Sequence, residues 1–142
     1  MLRIIVATDG SSGANRAVDT AARLAKVAGA KLAILTIGGN ISGEELRQIA
    51  STEGNLGKAL ESAANQILSR AQKRALRKGL SSVELLTGWG DPSQAIIDTV
   101  RHEKADILVV GRRGRGRLSG LLLGSVSQKL TTLAPCNVMV VP

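Results

Sequence analysis

The chain's 142 residues are the length of one domain, and 44% of them are hydrophobic, enough to enclose a core. Its uncharged runs, such as residues 32–43 and 130–142, fall short of the roughly 20 apolar residues a membrane helix needs, so no membrane span is expected. The formal charge of +8 is uneven: residues 107–142 carry Arg112, Arg113, Arg115, Arg117 and Lys129 with no acid, and supply +5 of it. Such a field favours anionic partners.

The start, "MLRIIVATDG", enters a strand-like run without the charged, apolar and small-residue succession of a signal peptide, so a cytoplasmic location is expected. "RIIVAT" (3–8) and "KLAILTI" (31–37) are short, β-branched apolar runs, the pattern of strands covered on both faces. Between them Ala14, Ala17, Val18, Ala21, Leu24, Ala25 and Ala28 fall at helical spacing, with Ser11 or Ser12 to cap the start and Gly29 to end the helix. That is one βαβ unit, which implies parallel strands.

The alternation continues. Residues 38–55 are Gly-rich and polar, a long surface loop with one helical turn around Glu44 to Ile49. A long helix over 56–78 has an apolar side that includes Leu60, Ala64, Ile67, Leu68, Ala71 and Ala75, ends at Gly79, and is followed by the strand "SVELL" (82–86). Asp91, Pro92 and Gln94 supply a cap, a first-turn proline and an amide three residues after the cap, predicting a helix from Pro92 to His102. "ADILVV" (105–110) is a fourth strand, a last helix runs from about Gly120 to Leu133, and "NVMVV" (137–141) is a fifth strand. Five strands alternating with four helices make a single doubly wound α/β domain over residues 1–142.

Open parallel sheets bind ligands beyond the carboxyl ends of their strands. The loops to weigh are therefore "TDGSSG" after strand one and "GRRGRGRLSG" after strand four. Neither carries G-x-G-x-x-G in the right place, and G-x-x-x-x-G-K-[ST] is absent from the chain. The fourth-strand loop instead spaces Gly111, Gly114 and Gly124-Ser125 as G-x2-G-x9-G-S. Bare backbone at Gly111 and Gly114 would let a ligand approach, and Gly124 and Ser125 would present amides and a hydroxyl at the positive end of a helix.

With "IIVATDGS" at the start, this spacing after strand four and "APCNVMVV" at the end, the chain resembles the universal stress proteins of the ATP-binding type along essentially its whole length. The resemblance implies a Rossmann-like sheet of the adenine nucleotide alpha hydrolase kind, five parallel strands in the order 3-2-1-4-5 with helices on both faces. It implies that Asp9, with Thr8 beside it, meets the ribose and adenine, and that Ile37 meets the base through its backbone. It implies that Val110, Gly111 and Gly114 approach the ribose and phosphates and that Gly124, Ser125, Val126 and Ser127 hold the phosphate chain. The dense arginine cluster departs from the family, and either Arg113 or Arg115, which flank Gly114, would clamp a terminal phosphate. The ligand would be ATP, or else AMP or cyclic AMP, with magnesium carried by the nucleotide. A homodimer through residues 137–141 and a regulatory or sensory role in stress response are also implied.

Structural readings stand beside these. Asp9 in Asp-Gly-Ser-Ser is also a good helix-entry residue, and the arginines of the loop also read as a solvated fringe. Arg70, Lys73, Arg74, Arg77 and Lys78 lie on one helix face, which reads as a solvated stripe or as a polyanion contact. With no Phe, no Tyr and only Trp89, the chain lacks a stacking platform for successive bases, so nucleic acid is not the expected partner. Trp89 itself reads as a packing or dimer-surface residue, or one within reach of the adenine. His102 reads as a helix-end residue and Cys136 as a small packing residue. Asp9 is the only carboxylate the sequence brings to the loop, with no Walker-type lysine, so no catalytic residue and no metal ligand is assigned. A binding protein is expected, with ATP hydrolysis weak at most. The alternatives are a basic accessory protein that binds nucleic acid through the Arg-rich loop and helix face, or a slow ATP hydrolase.

Overall fold

Five strands and four helices alternate along the chain: β1 (Arg3–Ala7), α1 (Ser12–Ala28), β2 (Lys31–Gly38), α2 (Leu56–Leu76), β3 (Glu84–Trp89), α3 (Pro92–His102), β4 (Ile107–Gly111), α4 (Ser125–Leu133) and β5 (Asn137–Val141). The structure, a computed structural model, describes residues 1–39, 44, 47, 48, 51, 55–112 and 124–142. Glu44, Arg47 and Gln48, within the turn expected around Glu44 to Ile49, are helical.

All strands pair in parallel, in the order β3-β2-β1-β4-β5, as the resemblance implied. The pleat sends alternate side chains to opposite faces, and each face has its own core. Ile4, Val6, Leu32, Ile34 and Val109 meet the alanine-rich sides of α1 and α2. Ile5, Ala33, Leu35, Ile37, Leu108 and Val110 meet Ile96, Ile97 and Val100 of α3 and Leu130 of α4. Each Leu, Ile or Val side chain among them contributes on the order of 2 kcal/mol when withdrawn from water. The small residues of α1, among them Ala17, Val18 and Ala21, let that helix lie close against the sheet.

Helix starts follow the sequence closely. Ser11 caps α1 by accepting from the Ala14 amide, Asn55 caps α2 at Lys58, and Asp91 caps α3 at Gln94. The amide side chain of Gln94 does not reach back to the cap but donates to Asp98, at 2.8 Å. Gly29 ends α1 in the left-handed region (φ 63°), with the Ala30 amide bonded to the Ala25 carbonyl.

The largest differences from expectation are in β3 and α4, beside shifts of one or two residues elsewhere, such as α2 ending at Leu76 and β4 starting at Ile107. β3 begins at Glu84 and runs through Gly88 to Trp89, past the predicted end at Leu86, because Thr87, Gly88 and Trp89 continue the pairing with Thr36, Ile37 and Gly38. Gly88 is tolerated there because a Cβ would come within 2.9 Å of the Ile37 Cδ1. The last helix starts at Ser125 and not near Gly120: Gly124 is extended (φ −72°, ψ 165°) and serves as the cap residue, and residues 120–123 lie outside the described residues.

Candidate functional site

With β1 in the middle, the winding reverses between β1 and β4, and the crevice beyond their carboxyl ends is the switch point of the sheet. Three segments border it: the turn after β1, the end of β2, and the end of β4 with the start of α4.

In the first, Thr8 is buried and locked. Its amide donates to the Leu35 carbonyl (2.9 Å), its carbonyl accepts the Thr36 hydroxyl (2.7 Å), and its hydroxyl accepts the Gly10 amide (3.1 Å). Gly10 turns the chain at φ 82°. Asp9, half-buried, accepts the Ser11 amide on Oδ1 at 2.9 Å. The carboxylate therefore shapes the entry to α1 while Ser11 does the capping, and it stands at the switch point.

Ile37 is positioned by strand alternation. Lys31 donates its amide to Leu2 and Leu35 accepts from Thr8, so the odd-numbered residues of β2 turn their peptide groups toward β1. β1 ends at Ala7, and the peptide groups of Ile37, two residues beyond Leu35, point into the space past its end. The Ile37 side chain is buried on the opposite face, toward α3.

At the end of β4, Val110 is buried in the α3–α4 core. A Cβ on Gly111 would lie 3.0 Å from the Gly13 carbonyl group and 3.2 Å from the Ala14 amide. The bareness of Gly111, expected to admit a ligand, thus admits the first turn of α1. That contact draws the β1 and β4 loops together. Arg112 donates its amide to Val141 (2.7 Å) and accepts the Gly124 amide (2.8 Å), so both ends of the Arg-rich segment are fixed beside the sheet. Arg113, Gly114 and Arg115 themselves lie outside the described residues.

The start of α4 differs from the starts of α1, α2 and α3. Gly124 supplies no side-chain cap, and the first intrahelical bond runs from the Gln128 amide to the Gly124 carbonyl. The amides of Ser125, Val126 and Ser127 precede that bond and form the positive end of the helix. Ser125 is exposed, Val126 packs on the α3–α4 core, and the buried Ser127 spends its hydroxyl proton on the Gly111 carbonyl (2.7 Å). For Ser127 this leaves the backbone amide, not the hydroxyl proton, to offer a ligand.

The remaining residues singled out in the sequence fall elsewhere. Arg74 of the α2 stripe makes a two-pronged pair with Asp19 of α1 (2.8 and 3.0 Å), and Arg77 donates to the Lys73 carbonyl, so part of that stripe is engaged within the fold. His102 is exposed in the last turn of α3. Cys136 is half-buried against the α3–α4 core, and burial pushes its thiol up from the usual range. Trp89 is 52% exposed at the end of β3, with its indole over Gly38. Sequence reasoning did not anticipate the Ser127 lock, the Gly111–Gly13 contact or the Trp89–Gly38 contact. "SSGA" at the start of α1 and "IGG" at the end of β2 are the small-residue signals that mark the last two.

These elements define a doubly wound α/β domain of the Rossmann-like class with the Asp9 turn, the end of β2 and the start of α4 at its switch point. The sequence profile described as the Universal stress protein family matches residues 1–142, and the chain belongs to that family. It is 36% identical over 143 residues to a universal stress protein of Thermus aquaticus, covering 97% of this chain and 96% of the relative. It is 33% identical over 140 residues to universal stress protein Rv1636 of Mycobacterium tuberculosis, covering 97% and 94%. Among solved structures, a universal stress protein crystallised in complex with cAMP superposes with a TM-score of 0.75 at 32% identity, covering 99% of this chain and 97% of that one.

Proposed function

We propose that this chain binds an adenine nucleotide, with ATP as the leading ligand and AMP or cyclic AMP as the other candidates, in the crevice between the ends of β1, β2 and β4. The observation that carries the reading is the convergence on the switch point of Asp9, the outward-facing peptide of Ile37 and the start of α4, whose cap residue Gly124 has no side chain to cover the helix amides. The cAMP-bound relative, at 32% identity, supports it. In this reading Asp9 accepts from the ribose hydroxyls, Ile37 reads the edge of the base, and the amides of Ser125, Val126 and Ser127 hold phosphate oxygens at the helix end. Gly111 and Thr8 shape the site, and Arg113 and Gly114 are assigned to it on sequence grounds alone. Magnesium would arrive with the nucleotide, bridging its phosphates.

The activity we infer is binding that regulates, in which the nucleotide state alters contacts with a partner, and not turnover. Hydrolysis needs a base held near the attacking water, and among the described residues the carboxylate at this crevice, Asp9, already accepts the Ser11 amide. We further propose a homodimer through β5, the edge strand next to β4, whose Val138, Met139 and Val140 remain partly exposed. An apolar edge of this kind favours antiparallel pairing about a two-fold axis.

Isothermal titration of the purified chain with ATP, AMP and cyclic AMP tests the ligand. Saturable one-to-one binding is expected, and no heat with any of the three would overturn the assignment. Met139→Lys should yield monomer or aggregate in light scattering, and an unchanged dimer would remove β5 from the interface.

A further inference from the structure

We propose that Trp89 is a specificity-determining residue of this site, an aromatic wall against which the nucleobase packs, and that Gly38 is glycine so that the indole can lie there. The inference rests on the adenine-nucleotide reading and adds to it the group that selects for a purine.

Four observations carry it. Trp89 is the only aromatic residue in the chain. It is the last residue of β3, at the carboxyl edge of the sheet, and pairs with Gly38, the residue after Ile37. A Cβ on Gly38 would lie 2.5 Å from the indole Cε3 and Cη2 and closer still to Cζ3, so the ring reaches from β3 across the backbone of β2. Gly39 and Gly90, in contrast, are left-handed (φ 88° and 106°) with nothing near a Cβ, so their backbone conformation accounts for them. Gly38 is not among the glycines of positive φ, and the indole is what excludes a side chain there.

The ring is thus held on one side by the backbone of β2 while half of the residue's surface, 52%, faces solvent. It sits one residue from the peptide groups of Ile37, which face the space beyond β1. A base bonded to that peptide has the indole as its nearest aromatic surface, and a purine offers more stacking area than a pyrimidine.

Because the chain has one Trp and no Tyr or Phe, its aromatic emission comes from Trp89 alone. The test follows that emission and calorimetry on the same sample during titration with AMP, adenosine, CMP, ribose 5-phosphate and inorganic pyrophosphate. AMP and adenosine should change the emission saturably, with the dissociation constant that calorimetry gives, and the two base-free ligands should leave it unchanged. CMP should bind more weakly than AMP in the wild type. Trp89→Ala should weaken AMP about tenfold, the order expected for loss of one base-aromatic stack. It should narrow the preference over CMP and leave pyrophosphate affinity alone. Trp89→Phe should keep most of the affinity. Gly38→Ala, with the tryptophan present but displaced, should behave like Trp89→Ala, with far-ultraviolet circular dichroism confirming that each variant folds. Calorimetric AMP binding with silent emission, and Trp89→Ala within twofold of wild type, would overturn this inference and leave the nucleotide reading standing. Emission that follows protein concentration and not nucleotide would also overturn it, by assigning the indole to a subunit contact. No binding of any nucleotide would remove both.

Discussion

At the amino end of the sheet, Arg3 donates its amide to Asp106 and accepts the Asp106 amide, while its guanidinium meets Glu103 and Glu84 at 3.3 and 3.4 Å. At the carboxyl end β1, β2 and β4 finish at Ala7, Gly38 and Gly111. There, among the described residues, the crevice is lined by peptide groups, the Asp9 carboxylate and a helix start whose cap residue is Gly124. The first end spends its polar groups on joining β1, β3 and the α3–β4 connection to one another. The second keeps strands and helices close through glycine contacts and leaves its dipoles facing outward. Stability and binding are therefore expected to respond to different residues, and substitutions at the two ends should separate them.

The largest effect should come where the two roles meet, at Gly111. Gly111→Val places a Cβ about 3 Å from the backbone of Gly13, and overpacking of this kind costs about 1–3 kcal/mol. It also pushes α1 away from β4 and so separates the Asp9 turn from α4. Thermal denaturation should show the lower Tm and calorimetry the loss of nucleotide binding. A Val variant with wild-type Tm and affinity would mean that the contact positions nothing.

Asp9→Asn should come next and act on one end alone. The amide oxygen can still accept the Ser11 amide, so stability should stay within about 0.5 kcal/mol. Removing the charge from a hydrogen bond to ligand should lower nucleotide affinity about tenfold or more. Equal losses in Tm and affinity would assign Asp9 to the fold.

Arg3→Ala should give the converse result. Its ion pairs are partly open to solvent, with side-chain exposures of 26% for Arg3, 51% for Glu84 and 22% for Glu103. Screening then limits the loss to about 1 kcal/mol. Nucleotide affinity should not move, and a calorimetric change would show that the two ends are coupled.

The smallest effect concerns Cys136. Burial, the first cause, raises its thiol, partly offset by a backbone hydrogen bond and reinforced by Asp106. The thiolate is the nucleophile, so a raised value means a smaller reactive fraction at neutral pH. Iodoacetamide should label the folded chain more slowly than the unfolded one, and the rate should rise only above the usual thiol range. Equal rates would contradict the burial.

How far the sequence reaches can be seen in these same residues. Periodicity locates the strands and helices, because the two patterns differ in period and the caps at Ser11 and Asp91 use residue types that announce themselves. It stops β3 too early, since Gly88 reads as a break until Ile37 is known to lie opposite. It starts α4 too early, since Gly124 carries no capping side chain. At the candidate site, the placement of Asp9 and Gly124-Ser125 beside the crevice is legible because their loops have recognisable spacing. The work of Gly111, Ser127 and Gly38 is not, because each answers to a residue distant in sequence: Gly13, the Gly111 carbonyl and Trp89.

The proposed binding of an adenine nucleotide at the carboxyl end of the sheet can be followed residue by residue in a chain of 14.7 kDa. A nitrogen-15 amide spectrum recorded during titration with ATP should show saturable shifts at Asp9, Ile37, Gly38, Gly124, Ser125 and Val126, with Arg3, Glu84 and Asp106 unmoved. Shifts confined to the amino end or to the α2 stripe, or none at any residue, would contradict the account.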